Sequence, residues 1–361
     1  MKLTIERSHA LAALAKVTGA VPSRSTIPVL NNIRVTANGD GIVEFRGTDM
    51  DMESVATATA DVSAPSQTTI DAGKFREIVN AAAPGSEIML ELTDADPRML
   101  VKSGRSRFKL PVLSADDYPA MPIYDGASFT IDAAELKTLI DYVAFAMSTE
   151  ETRYYLNGAL FTAYQGALRL VATDGHKLAL RDGPAVSEFD PVIIPRKAVN
   201  EVQRALGAYS GAVTVVVGNG VSFSMGAHTI TTKRVDGSFP DYQRVIPRDN
   251  ELEIVADSDL LSSAIKRAVI AADDRACSVV LSASADSVAV FRKGETEARD
   301  EFDASYSGDD IEIGFNAKYL LDTLARISGD VSIRLRDPTS PSVWRAVGDD
   351  AGLAVVMPLR V

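Results

Sequence analysis

Three histidines are the first candidates for chemistry in this sequence. His9, His176 and His228 lie far apart along the chain, and none has a second ligand at a spacing typical of zinc sites. His176 follows Asp174 closely, so the two side chains could act as a general acid and base, for example in a nucleotide hydrolase. No further catalytic group stands beside them, which favours the alternative that His176 is a strand residue lining a groove.

Acidic residues are concentrated in two segments of the first third of the chain. They suggest either a cation site or solvated turns, and we favour turns because Asp commonly forms them: Asp49, Asp51, Glu53, Asp94 and Asp96. The phosphate-binding motif GxxxxGK[ST] and the GxSxG motif of hydrolases are absent. Gly218-Asn219-Gly220 lacks the third glycine of a dinucleotide-binding motif, because residue 223 is Phe. The sequence predicts no catalytic residue, no metal and no cofactor.

The composition is that of a globular protein with more than one domain. The chain has 361 residues, 46% of them hydrophobic, whereas a single domain usually contains about 100–200 residues. Cys277 is the single cysteine, and the sequence shows neither a signal-peptide pattern nor an apolar run of about 20 residues. We therefore expect a cytoplasmic protein. Its net charge of −12 argues against a protein that simply coats nucleic acid.

The elements that must position these residues recur three times along the chain. A strand followed by an amphipathic helix opens near residues 3, 129 and 252, at intervals of about 125 residues. A second helix opens near residues 70, 194 and 315, and each ends in a turn that contains Gly or Pro. Asp174-Gly175 between the alternating runs 168–173 and 176–180 is the clearest hairpin signal.

This order of elements predicts an α+β chain of three similar domains. Pro119, Pro122 and Gly126 mark the first boundary, and Pro247 and Asn250 mark the second. We therefore expect an N-terminal domain at 1–125, a central domain at 126–250 and a C-terminal domain at 251–361.

Several longer motifs resemble one protein family. They are Arg-Tyr-Tyr-Leu-Asn-Gly at 153–158, Val-Ala-Thr-Asp-Gly-His-Lys-Leu-Ala at 171–179, Asp-Gly-Ser-Phe-Pro-Asp-Tyr at 236–242, Val-Lys-Ser-Gly-Arg-Ser-Arg-Phe at 101–108 and the final Val-Val-Met-Pro-Leu-Arg-Val at 355–361. In this order, and with three repeated units, they resemble the bacterial DNA polymerase III β subunit, the sliding clamp family, along the whole chain.

The resemblance implies the DNA clamp fold, with three similar clamp domains in each protomer. Two protomers would close head-to-tail into a ring whose helices line the bore and whose sheets lie outside. This homodimer would encircle duplex DNA and confer processivity on the replicative polymerase, without catalytic activity of its own. A ring holds DNA by topology, so an acidic exterior is compatible with this function. The alternative is a peptide-binding scaffold that does not encircle DNA.

The resemblance also implies partners and a cleft that binds their peptides. The partners would be the polymerase α subunit, the clamp loader δ subunit, translesion polymerases and mismatch-repair proteins, with no membrane involved. The cleft would lie between the second and third domains, and the matching residues are Leu156, Thr173, Gly175, His176, Lys177, Leu178, Pro240, Arg244, Val245, Asn316, Tyr319, Val343, Val355, Val356, Met357, Pro358, Leu359 and Arg360. The sequence departs from the family at Ala276, where an aromatic residue is common, at Lys177, where Arg is common, and at Val361, where Leu is common.

Two further sets of residues match the family by position. Contacts to the DNA backbone are implied for Arg24, Tyr155, Arg196 and Lys197. The subunit interface is implied to join Lys74, Arg105, Arg107, Phe108 and Leu110 of one protomer to Ile270, Glu297, Asp300 and Glu301 of the other.

Overall fold

The computed structural model describes residues 1–93, 95–270, 278–292 and 296–360. Ala276, Cys277 and Val361, as well as Asp94, lie outside these described residues. The chain divides into two compact units, one of residues 1–134 and 200–234 and the other of residues 135–199 and 235–361. The three-domain division at residues 125 and 250 stays a prediction.

The first third of the chain alternates helices with antiparallel strands. Its elements are β1 (Lys2–Glu6), α1 (Arg7–Val17), β2 (Asn32–Ala37), β3 (Ile42–Thr48), β4 (Met52–Thr59), β5 (Asp61–Ala64), β6 (Ser66–Asp71), α2 (Ala72–Ala81), β7 (Glu87–Thr93), β8 (Asp96–Ser103) and β9 (Ser106–Pro111).

The middle third, which the structure describes throughout, repeats this order without a counterpart of β5. Its elements are β10 (Gly126–Asp132), α3 (Ala133–Val143), β11 (Gly158–Tyr164), β12 (Ala167–Thr173), β13 (Lys177–Ala185), β14 (Val192–Pro195), α4 (Arg196–Leu206), β15 (Ala212–Gly218), β16 (Gly220–Met225) and β17 (His228–Lys233).

The last third repeats it again. Its elements are β18 (Leu252–Asp257), α5 (Ser258–Ile270), β19 (Ser278–Ser284), β20 (Ser287–Arg292), β21 (Ala298–Asp303), β22 (Ile311–Asn316), α6 (Ala317–Leu324), β23 (Asp330–Leu335), β24 (Ser342–Ala346) and β25 (Gly352–Val356).

Local sequence explains why these segments become helices. In α1 the buried residues Ala10, Ala13, Leu14 and Val17 recur at the spacing of one helix face. The helix α2 begins after Asp71, whose carboxylate accepts a hydrogen bond from the backbone N–H of Lys74 at 2.7 Å. In the last third, the Asn316 side chain caps α6 in the same way. The helix α6 ends at Leu324, and the chain then turns through Gly329 at a φ of +78°, as the predicted glycine turn requires.

The first unit contains two antiparallel sheets. One has the strand order β5-β1-β7-β8-β9, and the other has the order β10-β15-β16-β17-β4-β3-β2-β6. The pairing of β17 with β4 joins the middle third to the first third, with His228 opposite Ala56. The hydrophobic core of the first third lies beneath α1 and α2 and includes the fully buried side chains of Phe45 and Phe75.

The second unit also contains an eight-stranded sheet, but its other sheet has four strands instead of five. Its sheets have the orders β14-β11-β12-β13-β25-β24-β23-β18 and β21-β20-β19-β22. Here β13 pairs with β25, which joins the middle third to the last third. The core of the last third is built around Trp344 and Phe315, whose rings meet edge to face with centroids 6.1 Å apart.

Candidate functional site

The turn between β12 and β13 is held by the Asp174 side chain. Its Oδ1 atom accepts hydrogen bonds from the backbone N–H groups of His176 and Lys177, both at 2.9 Å. Gly175 has a φ of +89°, a conformation that side chains with a Cβ rarely adopt. The predicted hairpin is therefore confirmed, although β13 begins at Lys177 and leaves His176 in the turn.

Two consecutive side chains after Gly175 meet the first turn of α6. The His176 ring stacks on the Tyr319 ring with centroids 6.2 Å apart and planes 20° apart. The Lys177 Nζ atom lies 4.4 Å from the centroid of the Tyr319 ring and 2.5 Å from Asp174 Oδ2. Burial, together with the carboxylates of Asp174 and Glu150, raises the pKa of the Tyr319 hydroxyl.

An apolar floor lies beside this cluster. The side chains of Leu178, Val343 and Val355 are buried in one hydrophobic cluster, and Leu178 and Val343 both pair with Val355 across adjacent strands. By contrast, Val245, whose backbone N–H binds the carbonyl of Tyr242 in the same cluster, remains 52% exposed. Met357, two residues after Val355, remains 38% exposed, although both side chains are apolar. Exposed apolar residues next to a buried apolar floor are typical of a surface that binds a partner.

The C-terminal segment is attached to this surface by its backbone. Met357 donates its backbone N–H to the carbonyl of His176 at 2.9 Å, and Leu359 donates to the carbonyl of Gly314 at 2.8 Å. These bonds fix the backbone of residues 357–359 beside the turn and the strand β22.

All eighteen residues predicted for the cleft lie in the second unit. The structure brings His176, Lys177 and Tyr319 together at one side, and Leu178, Val343 and Val355 in one hydrophobic cluster. Others shape the backbone: Thr173 donates its hydroxyl to the Lys177 carbonyl, and Asn316 accepts from the Lys318 N–H. The remaining residues are buried (Leu156, Val356), partly exposed (Pro358) or exposed (Pro240, Arg244, Arg360).

The sequence prediction omitted two residues that build this surface. Asp174 fixes the turn, and Arg153 donates from Nη1 to the Asp174 carbonyl at 3.1 Å while its Nε atom binds Glu150. The Asp-Gly hairpin signal already pointed to Asp174. A cavity next to Pro240, lined by Phe239 and Tyr242, also escaped the sequence prediction.

Asp174 and His176 do not form the acid and base pair of a hydrolase. The two Asp174 carboxylate oxygens already bind two backbone N–H groups and the Lys177 ammonium group. The His176 ring stacks on Tyr319. Both side chains therefore serve to hold the turn and the Tyr319 ring in place.

The acidic segments of the first third form turns and ion pairs. Asp49 accepts backbone hydrogen bonds from residues 51 and 52, Asp51 pairs with Lys233, and Asp96 pairs with Arg98 and Lys109. Burial raises the pKa of Glu53, which nevertheless binds Arg46. Across the four described ranges, no group of three His, Cys, Asp or Glu side chains is placed to hold a metal ion.

Three of the four predicted DNA contacts lie close to one another in the second unit. Tyr155 belongs to the 3-10 segment Glu151–Leu156, where its ring meets Tyr154 edge to face at 5.7 Å. The backbone N–H of Arg196, at the start of α4, binds the carbonyl of Asn157 at 2.9 Å, and the exposed Lys197 follows it. Arg24 is exposed in the loop after α1, in the first unit.

The predicted interface residues lie on two open sheet edges and two helices. Arg105 lies in the turn before β9, the edge strand that carries Arg107, Phe108 and Leu110, and Phe108 is 40% exposed. On the other edge strand, β21, lie Asp300 and Glu301, and Glu297 directly precedes it. Lys74 is exposed on α2, and Ile270, which ends α5, is 84% exposed.

Comparison with known families covers nearly the whole chain. Models of the DNA polymerase III beta subunit match its N-terminal domain to residues 1–122, its central domain to residues 130–241 and its C-terminal domain to residues 243–360. The chain belongs to the DNA polymerase III beta subunit family. It is therefore an accessory subunit that serves a polymerase and is not itself a catalyst.

Individual relatives agree with this family membership. The chain is 42% identical to the beta sliding clamp of Caulobacter vibrioides and 37% identical to that of Escherichia coli K12, over the full length of both partners in each comparison. The crystal structure of the DNA polymerase sliding clamp from Caulobacter crescentus superposes with a TM-score of 0.95 at 41% identity, covering all of both chains. The beta subunit of Pseudomonas aeruginosa gives 0.95 at 35% identity, also over all of both chains.

These results confirm the α+β clamp fold and the resemblance derived from the sequence motifs. Within the described ranges, no helix combines the length and the apolar character that crossing a membrane requires.

Proposed function

We propose that two copies of this chain close head-to-tail into a ring around duplex DNA and keep a replicative polymerase on it. Each copy would contribute three similar domains, at 1–125, 126–250 and 251–361. The proposal rests on how strands of neighbouring repeats pair with each other inside the chain. At each internal junction, the fourth strand of one repeat pairs with the final hairpin strand of the next, as β4 does with β17 and β13 does with β25.

The third pair of equivalent strands is left open. By their position in the repeats, β21 corresponds to β4 and β13, while β9 corresponds to β17 and β25. In the described part of the chain, β9 pairs with β8 alone and β21 with β20 alone. An open strand edge readily accepts another strand. Joining β9 of one copy to β21 of another would repeat the internal junction and close a heterologous ring.

Charge complementarity favours this junction over two identical edges meeting. Arg105, Arg107 and Lys109 accompany β9. Four acidic residues accompany β21 against one basic residue, Arg299: Glu297, Asp300, Glu301 and Asp303. Like charges would meet if β9 paired with β9, and like charges directly opposite each other destabilise strand pairs. A head-to-tail arrangement puts the basic edge against the acidic edge.

A charge swap tests the interface. We expect the substitutions R105E and R107E together to make the protein monomeric in analytical ultracentrifugation, and E297R with E301R to do the same. A chain that carries all four substitutions is the matched control, since its edges are complementary again, and it should dimerise. A dimer in all three variants would refute pairing through these edges.

Charge is also distributed as a DNA-encircling ring requires. The six α-helices found among the described residues carry eleven Lys and Arg against six Asp and Glu, while the remainder of the sequence carries 26 against 43. The helices therefore have a net positive charge within an acidic chain, which suits a bore that attracts phosphates weakly. We propose that Arg24, Tyr155, Arg196 and Lys197 contact the DNA backbone.

Topological retention tests the encircling function. The protein would be loaded onto nicked circular DNA by a clamp loader with ATP, isolated by gel filtration, and half the sample linearised with a nuclease that cuts once. We expect loss of the protein from linear DNA and retention on the circle. Equal retention on both would refute encirclement and favour a peptide-binding scaffold.

We further propose that the surface around Tyr319 and Leu178 receives short peptides from partners in the cytoplasm. These partners are the polymerase α subunit, the clamp loader δ subunit, translesion polymerases and mismatch-repair proteins. The exposed apolar side chains of Val245 and Met357 beside a buried floor support this assignment. Replacing Met357 with Asp should abolish binding of a labelled peptide while leaving the dimer intact, and unchanged binding would contradict the assignment.

A further inference from the structure

One residue of the proposed peptide cleft has its charge already neutralised inside the protein. Lys177 is buried, and its side chain is 8% exposed. Its Nζ atom lies 2.5 Å from Asp174 Oδ2, and the Asp174 side chain is itself only 15% exposed. Removing one partner of a buried ion pair leaves the other charge uncompensated, so this pair does not separate easily to bind a ligand.

The Lys177 ammonium group also holds the Tyr319 ring. It lies 4.4 Å from the ring centroid, within the distance at which a cation is attracted to the face of an aromatic ring. The same ring stacks on His176 from the neighbouring position of the turn. The position of Tyr319 therefore depends on an ammonium group that the turn at Asp174 fixes in place.

Arg244 differs from Lys177 in each of these respects. Its side chain is 85% exposed, and it pairs at 2.8 Å with Asp241, whose side chain is 56% exposed. An exposed pair of this kind contributes little stability and exchanges partners readily. The Arg244 guanidinium group can therefore exchange Asp241 for a carboxylate of an incoming peptide, because a fork of N–H donors suits a carboxylate.

We propose that Lys177 is a positioning residue that sets the Tyr319 ring, and that Arg244 is the cation that meets acidic groups of a bound peptide. The inference rests on the proposed peptide-binding function and specifies how Lys177 and Arg244 divide shape and charge between them.

Paired peptides separate these two roles. A peptide that contains one glutamate would be selected from a random library on the wild-type protein and synthesised with either Glu or Gln at that position, each carrying a fluorescent label. Fluorescence anisotropy gives both dissociation constants, and their ratio measures how strongly the protein prefers the acidic form. Failure to select any peptide on the wild-type protein would refute the proposed function itself, before any variant is measured.

Three single substitutions and one double substitution would be compared. We expect K177M to weaken both peptides by about tenfold while leaving their ratio as in the wild type, since a lost cation–π contact of about 1.4 kcal/mol corresponds to tenfold. R244M should lower the ratio towards one. K318M, which removes an exposed lysine from the same turn of α6, controls for the general loss of positive charge.

The double substitution D174N/K177M keeps the assay interpretable if K177M folds poorly. Asn retains an oxygen for the backbone N–H groups of the turn and leaves no buried carboxylate unpaired. We expect the double variant to weaken both peptides as K177M does, because it also lacks the cation above Tyr319. A changed Glu-to-Gln ratio in either Lys177 variant would show that Lys177 contacts the acidic group of the ligand, and this would overturn the proposal. Unchanged peptide affinity in both K177M and D174N/K177M would also overturn it. A wild-type ratio of one, or a ratio that R244M leaves unchanged, would overturn the role of Arg244.

Discussion

The buried histidine His228 should make the stability of the first unit depend on pH. Only 3% of its surface is exposed, and its Nε2 atom lies 2.8 Å from Ser54 Oγ. Ser54 donates its single hydroxyl hydrogen to the carbonyl of Lys16, so His228 must be the donor in its bond with Ser54. That carbonyl belongs to the last turn of α1, where helix carbonyls lack partners within the helix. His228 thus donates to Ser54, which in turn satisfies a carbonyl at the end of α1.

The surroundings of His228 oppose its protonation. Burial, and then the positive charges of Lys16 and Arg204, lower the pKa of His228 from 6.5 to about 4. Above pH 6.5 the imidazole is neutral in both the folded and the unfolded chain. Between pH 6.5 and 4 the unfolded chain binds a proton that the folded chain does not, so stability falls as pH falls. Below pH 4 both states are protonated and this loss levels off.

The expected loss is large enough to measure. A pKa of about 4 against about 6.5 corresponds to about 3 kcal/mol in total, because each tenfold change in an equilibrium is about 1.4 kcal/mol. Linkage places about 2 kcal/mol of this loss between pH 7 and pH 5. Other groups titrate in the same range, so the measurement must isolate the histidine.

Urea unfolding of the wild type and of H228Q at pH 7 and pH 5 separates the contribution of His228 from that of the other titrating groups. Gln keeps an N–H donor for Ser54 but does not titrate, so carboxylate effects cancel in the comparison. We expect the wild type to lose about 2 kcal/mol more than H228Q between the two pH values. H9Q, at a histidine whose side chain is 51% exposed, is the matched control. Parallel losses in the wild type and H228Q would refute the reasoning.

Three further substitutions should have predictable effects. Tyr118→Phe removes a buried hydroxyl that lies 3.2 and 3.1 Å from two backbone carbonyls. We expect the free energy of unfolding in urea to fall by about 1–3 kcal/mol, because the carbonyls lose a hydrogen-bond donor. Ser342→Ala removes the hydroxyl that the Nε1 atom of Trp344 binds at 2.8 Å. We expect the free energy of unfolding to fall by about 1–3 kcal/mol, measured by the fluorescence of this single tryptophan. An unchanged unfolding midpoint would contradict this expectation. Gly175→Ala places a Cβ in a turn with positive φ. We expect the free energy of unfolding to fall by about 1 kcal/mol and peptide binding to weaken. Peptide binding equal to that of the wild type would show that the turn tolerates the strain.

Much of the local structure could be predicted from the sequence alone. The helix periodicity predicted all six α-helices of the described part of the chain, and Asp174-Gly175 predicted the β12–β13 hairpin. These features depend on residues that are close together in the chain, so their patterns are readable without knowledge of the fold. The motifs were specific enough to indicate the family as well.

The tertiary structure alone decided which distant residues meet. No local pattern predicts that β4 pairs with β17, whose residues lie more than 170 positions away, because many strands of this chain have similar alternation. The state of individual side chains follows from these long-range contacts. His228 had no assigned role in the sequence, yet strand pairing buries it against Ser54. Lys177 was predicted only as one residue of the cleft, and the fold places its ammonium group between Asp174 and Tyr319. The burial and the charged neighbours of a side chain are properties of the assembled fold. The residue type sets which charge states the side chain can have, and these surroundings decide which of them is populated.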